Sequence, residues 1–173
     1  MSQQQAFLEA FDRYADALYR HAYFRVSDQE KAQDLVSETF TRAWDYLVKG
    51  NTIEEFRPFL YRTLNHLIVD EYRKKRTESL DRMLEEQAVP EGAFPELVEG
   101  GRADIEFTLD AQRVVGMLDT MPPQYREVVV LRYIDGLMPA EIAAILSEPV
   151  NTISVRIHRG IAWLAKRVDE PDL

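Results

Sequence analysis

Within one short stretch the chain carries Tyr61, Arg62, Asn65, His66, Tyr72, Arg73 and Lys74, a mixture of rings, amides and cations. Rings offer faces on which unpaired nucleobases stack, at roughly 1–3 kcal/mol per base, and cations meet phosphates. The plain alternative is an amphipathic helix with a basic tail. A second group, Asn151, Thr152, Ser154, Val155, Arg156, His158 and Arg159, opens another apolar-periodic run. There the free N–H groups of a helix N-terminus can hold a phosphate, while Asn and Arg can read adenine and guanine edges. A third group, Asp34, Glu38, Thr39, Arg42 and Asp45, is what remains of a helix once its apolar side is assigned to a core.

Other chemistries find no support. There is no cysteine, hence no thiolate, disulfide or cysteine-based zinc site. The three histidines (21, 66 and 158) are scattered without ligand spacing. No Gly-rich phosphate loop and no Ser/His/Asp arrangement in recognisable context is present. We expect no enzyme, no metal and no cofactor.

The elements that must position these groups read as helices. Nothing alternates with period two over a convincing length. Residues 4–25 place Phe7, Leu8, Phe11, Tyr14, Ala15, Leu18 and Ala22 at helical spacing. Ser27 with Glu30 predicts a capping box for a helix over 28–48, with Leu35, Val36, Phe40, Ala43 and Trp44 inward. Thr52 with Glu55 repeats that signature before a run over 53–76, which tolerates Pro58 only near its start. Four more helices are predicted at about 107–120, 123–134, 139–146 and 150–168. The last two, with Pro139 at a first helical position, form a helix-turn-helix. Its seam is Ile142, Leu146, Ile153 and Ile157, with small Ala143 and Ala144 permitting close approach.

Charge divides the 173-residue chain as clearly as periodicity does. The formal total is −9, yet residues 1–77 hold 12 basic and 12 acidic side chains, and residues 113–173 hold 7 and 8. Residues 78–112 hold 2 and 10. That middle segment also gathers Pro90, Gly92, Pro95, Gly100 and Gly101. The expected organisation is all-α, with helical domains at 1–77 and 107–173 joined by a flexible acidic linker at 78–106. At 46% hydrophobic and 29% charged the chain is a folding one, with no apolar run long enough to span a membrane. Its start, MSQQQAFLEAF, lacks the basic-then-apolar form of a secretory signal, so a cytoplasmic location is expected.

Four stretches together carry a family resemblance: DLVSETFTRAWDYL (34–47), FRPFLYRTLNHLIVDEYRKKR (56–76), LDTMPPQYREVVVLRYIDGL (118–137) and PAEIAAILSEPVNTISVRIHRG (139–160). In this order, flanking an acidic connector, they resemble the second and fourth conserved regions of bacterial extracytoplasmic-function (ECF) RNA polymerase sigma factors. The resemblance implies that Asp34, Glu38, Thr39 and Arg42 bind core RNA polymerase. It implies that Tyr61, Arg62, Asn65, His66, Tyr72, Arg73 and Lys74 capture the melted −10 strand of promoter DNA. Asn151, Thr152, Ser154, Val155, Arg156, His158 and Arg159 would read the −35 element. An anti-sigma factor is implied as a further partner. Four positions depart from the pattern: His66 stands where the family usually has Asn, Ser154-Val155 replace a basic residue and Ser, and Ser147 replaces the turn glycine. A stand-alone helix-turn-helix regulator is the alternative, weakened by the near-neutral charge of 113–173, since such a protein must supply its own phosphate contacts. A sigma-like decoy that binds polymerase or an anti-sigma factor without initiating is another.

Overall fold

The computed structural model describes the backbone of residues 2–85 and 109–168, and side chains within 2–77 and 114–168. The described elements are all helical. They are α1 (Gln3–Val26), α2 (Gln29–Val48), α3 (Phe56–Glu85), α4 (Leu109–Thr120), α5 (Pro123–Val129), α6 (Pro139–Leu146) and α7 (Val150–Val168). A single π-turn, Val130–Ile134, extends α5. Apart from the end of the third, predicted at 76, the predicted helices stand within a few residues of these limits. Most of the expected linker lies outside the described residues, but α3 runs on to Glu85, past the expected linker start at 78.

The helix starts differ in instructive ways. Ser27 does not cap α2; it ends α1 in the left-handed conformation, with φ 54°, which is incompatible with the extended backbone of an N-cap. Asp28 takes the role one residue later, its carboxylate accepting from the Lys31 N–H at 2.9 Å. Thr52 is likewise too far upstream, because α3 begins at Phe56 and its first turn is closed by Phe59 N–H to the Glu55 carbonyl at 3.4 Å. Pro58 therefore falls within that first turn, where it removes no helical hydrogen bond.

In the N-terminal half α1, α2 and α3 pack around Leu18, Leu35, Phe40, Leu60, Leu64 and Ile68. Phe7 lies edge-on to Phe40 at 6.0 Å and tilts against Trp44 at 5.2 Å. Leu8, expected inward, is 62% exposed. A second face of α1 is buried instead, through Ala10, Leu18, His21, Ala22, Arg25 and Val26. That face meets the C-terminal half, which shares the same hydrophobic core through Val128, Leu131, Leu137 and Ile142. The two halves expected as separate domains thus lie packed on one another.

Within the C-terminal half, α6 and α7 form the helix-turn-helix. Ile142, Ala143, Ile145, Ile153 and Ile157 are buried in it, whereas Ala144, expected at the seam, is exposed. Ser147 occupies the turn glycine's place by adopting the left-handed conformation itself, at φ 54°. Gly160 is where α7 closes on α5: a β-carbon there would lie 2.6 Å from Val129 Cγ2 and 3.4 Å from Tyr125 Cβ. Gly160→Ala gains helix propensity but overpacks this contact, and overpacking costs about 1–3 kcal/mol. We expect denaturant unfolding to show a net loss of ~1–2 kcal/mol. Combining it with Val129→Ala should cost less than the two single losses added together.

Candidate nucleic-acid interface

The three groups singled out in the sequence meet different fates. On α2, Asp34, Glu38 and Arg42 recur every fourth residue along one exposed face, and Arg42 Nε–H donates to Glu38 at 2.8 Å. They line one wall of a groove whose other wall is α3, with Leu67, Asp70, Arg73 and Lys74. Lys31 and Glu71 close it with an ion pair at 3.1 Å, and the Glu71 hydrogen bond, then its charge, holds the Lys31 ammonium pKa above its ordinary value. Thr39 does not belong to this face. It is fully buried, and its hydroxyl donates to the Leu35 carbonyl at 2.7 Å, a bond internal to the helix.

The aromatic and basic group on α3 divides in two. His66, Arg73 and Lys74 are exposed. Tyr61 and Asn65, by contrast, are buried in the seam between the halves, at 2% and 6% exposure. Tyr61 O–H donates to Asp135 Oδ1 at 3.1 Å, and Asn65 Oδ1 accepts from Arg25 at 3.2 Å. Arg62 is exposed too, though its guanidinium reaches the Ala144 carbonyl of α6 at 3.0 Å. Tyr72 O–H donates to the Arg25 carbonyl, with its ring 5.9 Å from the Arg25 guanidinium carbon. Helical spacing could assign these residues to one stretch of helix but not say which would be covered.

The third group lies along the outer side of α7. Asn151, Ser154, Val155, His158 and Arg159 are exposed along α7, with Thr152 and Arg156 half-buried. Glu148 holds Arg156 through two contacts, at 2.9 and 3.0 Å, bracing the guanidinium at the mouth of the turn. Val155, where the sequence departs from the basic-then-Ser pattern, is an exposed apolar side chain of the kind that meets a thymine methyl group.

Several residues of the seam escaped sequence reasoning. His21 is fully buried, 2.7 Å from Asp135 Oδ2. A carboxylate only accepts, so Nδ1 carries the proton; Nε2 has no hydrogen-bond partner among the described residues. Arg57 binds the Asp135 carbonyl at 3.4 Å and Glu141 at 3.5 Å. Arg126 of α5 is 6% exposed and crosses to α1, donating to the Phe24 carbonyl at 2.7 Å and to Ser27 Oγ at 2.8 Å. It also pairs with Asp119 at 2.8 Å. The Phe24 carbonyl is one of the last in α1, which the helix itself leaves without a donor. The signal available in the sequence was the placement of His21 and Arg25 on the same side as Leu18, Ala22 and Val26.

The family model "Sigma-70 region 2" matches residues 10–78, and "Sigma-70, region 4" matches residues 111–164. The chain is 33% identical over 176 residues to the ECF RNA polymerase sigma factor SigW of Bacillus subtilis, covering 95% of this chain and 90% of that protein. It is 27% identical to the ECF sigma factor SigL of Mycobacterium tuberculosis, covering 92% and 87%. Among solved structures it resembles the sigma factor RpoE of Bartonella quintana in complex with the anti-sigma factor NepR. There the TM-score is 0.74 at 25% identity, over 96% of this chain and 99% of that one. It also resembles CnrH in complex with the cytosolic domain of CnrY, with a TM-score of 0.68 at 27% identity, over 96% and 89%. No helix among the described residues is long and apolar enough to cross a membrane.

Burial, then the charge of Asp135 and the hydrogen bond to it, push the Tyr61 phenol well above its ordinary value near 10. The folded protein therefore holds this proton more tightly than the unfolded chain. Its contribution to stability is complete below about pH 10 and is lost as pH rises beyond that value. Tyr61→Phe has no proton to lose. Unfolding midpoints measured from pH 8 to 11.5 should fall less steeply above pH 10 in the variant than in the parent.

Proposed function

The chain belongs to the ECF RNA polymerase sigma factors, the promoter-recognising subunits of that enzyme, and from that premise we propose how its residues divide the work. Residues 1–77 dock on core polymerase and take up the melted −10 strand, residues 107–173 read the −35 element, and residues 78–106 connect them. On α2 the docking face is Asp34, Glu38 and Arg42, whose alternating charges set register and encounter rate more than raw affinity. On α3, Tyr61, Arg62, Asn65, His66, Tyr72, Arg73 and Lys74 supply stacking faces and phosphate contacts. On α7, Asn151, Thr152, Ser154, Val155, Arg156, His158 and Arg159 enter the major groove. The subunit is itself no enzyme and works in the cytoplasm, where an anti-sigma factor masks it.

One observation carries this reading: α7 presents an exposed polar array at its leading turns, with Arg156 braced by Glu148, in a half that is close to electrically neutral. Such a helix discriminates bases but lacks the cations for strong phosphate binding, so it needs a larger assembly to supply affinity. The test is transcription from genomic DNA by purified core polymerase with and without this protein, with sequencing of the transcripts. New starts sharing upstream elements support the reading. Strong sequence-specific duplex binding by the free protein in a gel shift would instead favour a stand-alone regulator. A cognate promoter bound without transcript would mark a decoy.

Two sets of variants separate the surfaces. Arg159→Ala and Asn151→Ala should each reduce transcription from the cognate promoter by about 5- to 100-fold, the loss of one good base contact, while leaving polymerase binding intact. Glu38→Arg should weaken association with core polymerase by about tenfold or more, read by fluorescence anisotropy, with an unaltered unfolding midpoint.

A further inference from the structure

Arg156 reaches the outer side of α7 with its guanidinium already engaged. Its Nη1 stands 2.9 Å from Glu148 Oε1, and its Nη2 donates to Glu148 Oε2 at 3.0 Å, so the two planar groups meet fork to fork. The Nη1/Nη2 edge that would grip O6 and N7 of guanine is thereby taken. An arginine bound in this way can offer a base at most its Nε edge, and its charge is already balanced.

The backbone holds Glu148 in place. It lies in the turn between α6 and α7, where its N–H donates to the Ala143 carbonyl at 3.0 Å. Pro149 behind it confines the Glu148 backbone to extended conformations. Neither side chain is deeply buried: 26% of Arg156 and 33% of Glu148 are exposed. A pair so exposed adds little to stability, so the fold does not require it. A carboxylate there would also repel a phosphate, except that it holds a cation. Beside Arg156, the exposed Asn151, Val155 and Arg159 recur every fourth residue and form a row of their own.

We propose that Glu148 is a specificity-determining positioning residue that withholds the Arg156 fork from guanine. The −35 bases are then read by the neighbouring row: adenine by Asn151, a thymine methyl group by Val155 and guanine by Arg159. Removing the carboxylate releases a second guanine reader and a phosphate-binding charge. The identity of the duplex rests on the sigma-factor reading; the brace does not.

The test assembles full-length protein with purified core polymerase, selects bound duplexes from a library randomised over the upstream element, and sequences them. Parent and Arg156→Ala should enrich the same bases. Glu148→Ala should gain a guanine preference of about 5- to 100-fold at one position, and adding Arg156→Ala should remove it again. Binding of the Glu148→Ala holoenzyme to its selected duplex should also fall more steeply with salt, the slope of log K against log salt growing by about 0.9. Glu148→Gln keeps one acceptor oxygen and should fall between parent and alanine variant; it also serves if the alanine variant has a lowered unfolding midpoint. In the free protein, heteronuclear NMR should show hindered rotation of the Arg156 guanidinium, lost in Glu148→Ala.

Identical base preferences in the parent and Glu148→Ala overturn the proposal, as does a parental guanine preference that Arg156→Ala removes. A parental cytosine preference that vanishes with Glu148→Ala, whatever stands at 156, would make Glu148 itself the reader and overturns it too. A freely rotating Arg156 in the parent overturns the brace. Enrichment of the same duplexes by core polymerase alone overturns the sigma reading and leaves the NMR result standing.

Discussion

A guanidinium cannot shed its charge, so a buried one dictates its surroundings. Arg25 is 2% exposed in the last turn of α1, and its partners come from both halves: Asn65 of α3 at 3.2 Å and Glu127 of α5 at 3.5 Å. Its Nε has no partner at all among the described residues. Such a charge is tolerable in the closed arrangement and equally tolerable when the halves part and water reaches it. It is costly only in a half-open state that is dry but unpaired. Buried ion pairs of this kind come close to break-even against desolvation, while breaking one partner away is expensive. The charged part of the seam is therefore selective about geometry, while the shared apolar core supplies its burial.

Arg126 enforces the same geometry from the opposite side. It places a cation at the C-terminal end of α1, where the helix dipole is negative and the carbonyls lack donors. Asp119 and Ser27 hold it there. Both ends of the contact thus rely on charge meeting a helix terminus or a polar side chain, around a shared apolar centre of Leu18, Leu131 and Leu137.

The elements were largely legible in the sequence because periodicity and punctuation agree there. Pro122-Pro123, Asp135-Gly136, Pro139 and Pro149 bracket α5, α6 and α7 to within a residue or so. The exposed array on α7 was legible for the same reason, since the seam residues Ile153 and Ile157 leave the others outward. The packing of one half on the other was not. It is made by His21, Arg25 and Asp135, residues that pattern reasoning assigns to solvent, and each is buried only because its partner stands far away in sequence. Thr39 misled for a related reason: a hydroxyl that bonds back to its own helix is as buried as a valine. Nor does net charge forecast the surfaces proposed to face DNA, because the acid surplus belongs to residues 78–112, which reach only the last turns of α3 and leave α7 in nearly neutral company.

The π-turn after α5 sets the direction in which Asp135 leaves the helix. Its Asp135 N–H bonds to the Val130 carbonyl, five residues back instead of four. An α-helix advances about 100° per residue, so one extra residue in a turn shifts the phase of everything after it by that amount. Were the turn to relax to ordinary α geometry, the Asp135 carboxylate would swing about a quarter-circle away from His21 and Tyr61. The extra residue of this wide turn thus sets the phase at which the group joining the two halves leaves the helix.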